Sequence, residues 1–185
     1  PSKAYEDVVQ LLHTIPTTVR IISLRPISIF MRNTAPFNPL PNDGSLDYVP
    51  LCPQSIRIAA QLESSSAWPD AIRALVQFKI AIAIDIAKNI KREGYEALPH
   101  TEGLYIAHGG YVFNLVFYHT AEYHHFMGLE HGNYIKFLES CETAHHSYIF
   151  ALSGRFPQYK EATRAAIRWI RSKGITSRHM KDEAI

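Results

Sequence analysis

Gln61-Leu62-Glu63-Ser64-Ser65-Ser66-Ala67-Trp68-Pro69-Asp70-Ala71-Ile72 joins two apolar segments of different period. Upstream, Ser55 to Leu62 (SIRIAAQL) is short and rich in β-branched and small residues, as a buried strand requires. Downstream, Pro69 suits the first helical position, where a missing N–H costs nothing, and Asp70 places a negative charge where the helix dipole favours it. The helix is expected over 70–92, with Ile72, Leu75, Val76, Phe78, Ile80, Ile82, Ile84, Ile86 and Ile90 nearly all round it. Such a helix needs a sheet on one side and more protein on another. Trp68, beside the strand–helix turn, reads as a core residue.

Composition is that of an ordered globular chain. The 185 residues allow one or two domains with a sizeable core, and 46% hydrophobic with 19% charged residues is ordinary for a folded protein. A net charge of +2 does not by itself diagnose nucleic-acid binding. Cys52 and Cys141 are far apart and in no Cys-x-x-Cys pair, so neither a disulfide framework nor a zinc ribbon is indicated. No apolar run approaches the roughly 20 residues that span a bilayer, and no signal peptide opens the sequence. A soluble, intracellular protein is expected, with no membrane partner. The first residue is not Met and the last five resemble the opening turn of a helix, so the sequence reads as a fragment.

Outward from the central turn, the order is α+β and then all-α. Tyr5 to Leu12 reads as a short amphipathic helix and Val19 to Leu24 as a strand. Ala35 to Pro53, with Pro36, Pro39, Pro41, Pro50, Pro53 and Asn42-Asp43-Gly44-Ser45, reads as an extended loop with a tight turn. Leu104 to Ala107 and Tyr111 to His119 form two strands joined by His108-Gly109-Gly110, a hairpin signal. Tyr134 to Ser153 and Gln158 to Lys173 are helical, with Gly154-Arg155-Phe156-Pro157 as the break between them. A boundary is expected at 130/131.

These residues carry a resemblance. QLESSSAWPDAIRALVQFKIAIAIDIAKNI (61–90) resembles the strand–turn–helix of the Nrap family, the nucleolar RNA-associated proteins of the small-subunit processome. LRPISIFMRNTAPFNPLP (24–41) is similar to that family's strand and proline-rich loop, and GGYVFNLVFYHTAEY (109–123) to its Gly-Tyr-Val-Phe strand. LSGRFPQYKEATRAAIRWI (152–170) is similar to its helix pair with an aromatic-Pro turn. The resemblance implies a nucleotidyltransferase-like mixed sheet over 1–130, then over 131–185 the opening helices of a poly(A)-polymerase-type all-α domain. Implied partners are other processome proteins, pre-rRNA or small nucleolar RNA, and further domains of a longer chain. The implied location is the nucleolus.

A nucleotidyltransferase clamps two metal ions with carboxylates at alternate positions of one strand and a third on a neighbouring strand. On the strand at 55–63, Arg57, Ala59, Gln61 and Glu63 share a face, and only Glu63, at the strand's end, is acidic. Asn114 is the nearest polar stand-in on Tyr111 to His119. Arg25-Pro26-Ile27-Ser28 replaces the Gly-Ser turn that would hold nucleotide phosphates. Gln61, Glu63 and Asn114 are therefore read as degenerate active-site positions, with no catalytic residue, metal or cofactor. The expected function is that of a non-catalytic scaffold; the alternative is an active enzyme, either a divergent nucleotidyltransferase or a metalloenzyme.

The metalloenzyme alternative draws on His119, Glu122, His124, His125, Glu130, His131, Glu142, His145 and His146. Imidazole and carboxylate suit zinc or iron. No pair, however, has the His-x-x-x-His spacing that aligns two rings on a helix. A final candidate is basic: Lys160, Arg164, Arg168 and Arg171 form one stripe on the last helix, fit to contact RNA or another protein. An ordinary solvated face is the plainer reading of the same stripe.

Overall fold

The computed structural model describes residues 1–39, 46, 55–64, 68, 69, 71–119, 122 and 141–174. Five strands form one mixed sheet in the order β1-β2-β5-β4-β3. They are β1 (Ile21–Pro26), β2 (Ile56–Leu62), β3 (Glu96–His100), β4 (Gly103–His108) and β5 (Tyr111–Tyr118). β2 and β5 run parallel at the centre, and the other pairings are antiparallel. Proline sits only where a missing donor is tolerated: Pro26 and Pro99 lie on the two edge strands, β1 and β3. That second proline, with no apolar alternation in Glu96–His100, hides β3 from a reading of the sequence.

Alternate residues of each strand supply one apolar face. Ile56, Ile58, Ala60 and Leu62 of β2 join Phe113, Leu115 and Phe117 of β5, and Leu104 and Ile106 of β4, in a single core. Two helices cover it. α1 (Ser2–Thr14) contributes Ala4, Val8, Leu11 and Leu12, the i, i+4, i+7 set of one helical face. α3 (Ile72–Arg92) contributes Leu75, Ile82, Ala83, Ile86, Ala87 and Ile90. On its other side Ile84 is 39% exposed, so among the described residues the second covering expected for this helix is incomplete. The helix opens at Ile72 with Ala71 as N-cap, later than Pro69 suggests. Asp70 lies outside the described residues.

Trp68 is in the core, 8% exposed, as expected. Its indole N–H donates to the Glu63 carbonyl at 2.8 Å. The Phe78 ring meets it edge-on at 5.1 Å and His119 stacks on it at 4.2 Å. Beside this cluster, Lys79 of α3 and Glu122 form a buried ion pair at 3.3 Å. The 108–111 turn is the expected hairpin: Gly109 and Gly110 have φ of 58° and 79°, conformations that glycine adopts without strain.

The boundary expected at 130/131 and the loop turn at 42–45 lie outside the described residues. Beyond them stand α4 (Thr143–Arg155) and α5 (Tyr159–Ser172). Gly154 does not stop α4, which continues to Arg155. The break falls at Phe156, held extended because Pro157 follows and disfavours the helical region for the residue before it.

Candidate functional site

The second face of the sheet carries Arg57, Ala59 and Gln61 on β2, opposite Asn114, Val116 and Tyr118 on β5. The strand–turn after β1 closes over one end of it. There Ile27 donates its N–H to the Arg57 carbonyl at 3.0 Å. Ser28 caps the short α2 (Ile29–Arg32), its hydroxyl accepting from the Phe30 N–H at 3.3 Å. Asn33 ends that helix in the left-handed region at φ 57°, a conformation asparagine tolerates better than most side chains. The chain then runs along Ala35 to Asn38, and a cavity of about 510 Å³ opens between this loop, the start of β2 and the C-terminal helices.

Three arginines, Arg32, Arg57 and Arg171, are among the residues that line the cavity. Arg57 reaches across it, its guanidinium 3.5 Å from the Glu142 carboxylate, which is 5% exposed. Arg171 of α5 and the buried Arg32 also line it. Arg32 Nη1 lies 3.2 Å from His146 Nδ1 on α4. A guanidinium only donates, so Nδ1 accepts and the ring carries its proton on Nε2. Two further arginines fasten α5 to the same loop. Arg164 Nε donates to the Asn33 carbonyl and Arg168 Nε to the Pro36 carbonyl, each at 2.8 Å. The Arg168 guanidinium also lies 5.5 Å from the centre of the Phe37 ring.

The stripe expected on the last helix is therefore divided. Arg164 and Arg168 bond to backbone of the same chain and Arg171 lines the cavity, so Lys160, Arg164, Arg168 and Arg171 do not present one outward surface. The turn at Asn33 is the cause, because it leaves carbonyls at 33 and 36 for the helix to engage. The three positions read as a degenerate site are not brought together either. Gln61 accepts from the Ser23 hydroxyl at 3.1 Å, and Glu63 is exposed beyond the end of β2. Asn114, four residues back along β5 from the Gln61 partner Tyr118, bonds His100 Nε2 at 3.2 Å. Burial pushes the His100 imidazole below its ordinary value, against the Asn114 hydrogen bond and the charge of Glu102, which raise it. From this strand and its approach, Arg57 and Ser55, just before β2, line the cavity. Arg57, a cation in an otherwise uncharged strand, was the available signal.

Among the described residues the histidine-rich group is divided between partners. His119 stacks on Trp68, Glu122 pairs with Lys79, Glu142 with Arg57, and His146 meets Arg32. Among the described residues no cluster of three or more His, Cys, Asp or Glu side chains could hold a metal ion. His124, His125, Glu130 and His131 lie outside them. No helix among the described residues is long and apolar enough to cross a membrane.

A five-stranded mixed sheet with two helices on one face and a cleft on the other, followed by helices, is the architecture of a nucleotidyltransferase-like domain. The family described as Nrap protein nucleotidyltransferase domain 4 matches residues 2–126. The chain belongs to the Nrap family. Membership carries a role in nucleolar ribosome biogenesis. No curated protein matches the chain.

Proposed function

We propose that this domain is a non-catalytic scaffold module of a ribosome-biogenesis factor, acting in small-subunit pre-rRNA processing and assembly. Residues 1–130 form its degenerate nucleotidyltransferase-like unit, and 131–185 begin the helical partner. Its partners are other small-subunit processome proteins, pre-rRNA or small nucleolar RNA, and further domains of a longer chain.

The observation that carries this reading is the Arg57–Glu142 pair. Phosphoryl transfer on this fold needs carboxylates free to clamp two metal ions over the central strands. Here the central strand offers Ser55 and Arg57 to the cavity, and Arg57 engages Glu142, the one carboxylate among the described lining residues. A guanidinium in the cleft repels divalent cations, and its pair with Glu142 ties the helical segment to the sheet instead. The test is incorporation of labelled nucleotide into RNA with Mg²⁺ or Mn²⁺. None above background is expected. Incorporation abolished by a chelator would overturn the reading.

A further inference from the structure

We infer that the contact between Arg32 and His146 is a proton-sensitive clasp. It holds α4 against the turn after β1 while the imidazole is neutral, and a proton on the ring releases the helix. The geometry sets this rule. Arg32 Nη1 lies 3.2 Å from His146 Nδ1, and a guanidinium has only donors, so this nitrogen carries a lone pair. Protonated imidazole has an N–H at both nitrogens and no longer accepts. Donor then faces donor, and cation faces cation. Arg32 is 3% exposed, so the repulsion is poorly screened.

α4 is tied to the sheet unit by Arg57–Glu142 at 3.5 Å and, one helical turn on, by Arg32–His146. α5 is tied by Arg164 and Arg168 to the carbonyls of Asn33 and Pro36. Of these acceptors, the imidazole is the one whose ordinary titration falls between about pH 5 and 8. Among the described residues, Arg32 faces the ring from α2, while Arg57 and Arg171 line the cavity that Arg32 also lines. On its own helix the ring is flanked by His145 and by Glu142, the N-cap residue that Arg57 engages. The sign follows from linkage. Docked α4 excludes a proton from Nδ1, whereas a released ring takes one up as ordinary imidazole does, near pH 6.5. Docking is complete above that value and weakens below it. The ratio of released to docked helix should rise by up to about tenfold per pH unit, the effect of one proton. Release also opens the cavity, because Glu142 at the head of α4 is part of its wall. A second histidine contact has the opposite dependence. His108 Nε2 lies 3.2 Å from Asp7 Oδ2 and joins the hairpin to α1. An imidazolium still donates there and adds a charge opposite to the carboxylate's, so acid leaves α1 in place.

The test is hydrogen exchange of the whole chain, followed by mass spectrometry at about pH 7.5 and about pH 5.5 and corrected for the intrinsic pH dependence of exchange. Amides of α4 and α5 should lose protection at the lower pH, while those of α1, β2, β4 and β5 change little. His146→Gln puts an amide oxygen, an acceptor that gains no proton, opposite Arg32 and should keep α4 protected at both values. His145→Gln should lose protection as the parent does. Melting temperatures at the higher pH check that both variants fold. A second measurement needs no variant: nitrogen NMR of the parent at that pH should show the His146 proton on Nε2 and a lone pair on Nδ1. The inference is overturned if α4 is equally protected at both pH values, if its loss persists in His146→Gln or disappears in His145→Gln, or if the strands lose protection in step with it. A proton found on Nδ1 at the higher pH also overturns it. None of these outcomes touches the non-catalytic reading.

Discussion

One face of the sheet presents Ile56, Ile58, Ala60, Leu62, Phe113, Leu115 and Phe117 to two helices, while the other carries Arg57, Gln61 and Asn114, of which Arg57 lines a cleft. The covered face is constrained by packing, which accepts few changes of volume, so it keeps the architecture of the nucleotidyltransferase class. The cleft face is constrained only by the chemistry performed there. A strand position on that face can be arginine without disturbing the core behind it. The comparison separates two constraints: packing acts on one side of the sheet, and the chemistry of the cleft on the other.

The contrast breaks most visibly at Trp68. Trp68→Ala removes a buried ring that touches Phe78 and His119, and should cost about 3–5 kcal/mol, read as a large fall in melting temperature. An unchanged melting temperature would place Trp68 on an interface instead of in the core. Lys79→Met should follow at about 3 kcal/mol, because it leaves the Glu122 carboxylate buried without its cation. Adding Glu122→Leu to that variant should recover much of the loss, and failure to do so would show that the pair matters through more than its charge.

On the cleft side the effects should be smaller. Arg164→Gln with Arg168→Gln removes two charged donors from the carbonyls of Asn33 and Pro36. Each exposed or half-exposed bond is worth about 1 kcal/mol, so the core should melt nearly as before while α5 becomes a better protease substrate. Equal proteolysis of variant and parent would show that α5 is not held by these bonds. The smallest effect concerns pH. Burial lowers the folded-state value of His100, so the folded chain resists a proton that the unfolded chain takes up. The sign follows: this contribution is fully present above the unfolded value near 6.5, and is lost as pH falls from there through the lowered folded value. His100→Gln should flatten the stability profile in that window, and denaturation midpoints across it check the claim.

The covered face was legible in the sequence because burial imposes a period. β2, β5, the 108–111 hairpin and the long helix are all marked by alternation, a glycine pair or a continuous apolar run. β3 was not, since Glu96–His100 sits at an edge, carries Pro99 and alternates poorly. The absence of carboxylates from β2 and β5 was also legible, but the residues that line the cavity were not. Strand face alone singles out Gln61, Glu63 and Asn114, whereas the cavity is set by the turn after β1 and by α5, contacts made across more than a hundred residues. The same long-range docking turned a stripe that looked like an outward surface into a clasp. No local spacing announces that Arg164 and Arg168 will find carbonyls at 33 and 36.

The central claim is that Arg57 and Glu142 have replaced metal binding in the cleft. Isothermal titration of the chain with a nucleoside triphosphate, run in Mg²⁺ and in EDTA, tests it most directly. The account predicts the same heat in both buffers, with no metal-dependent binding. A clear binding isotherm that appears with Mg²⁺ and vanishes in EDTA would contradict it.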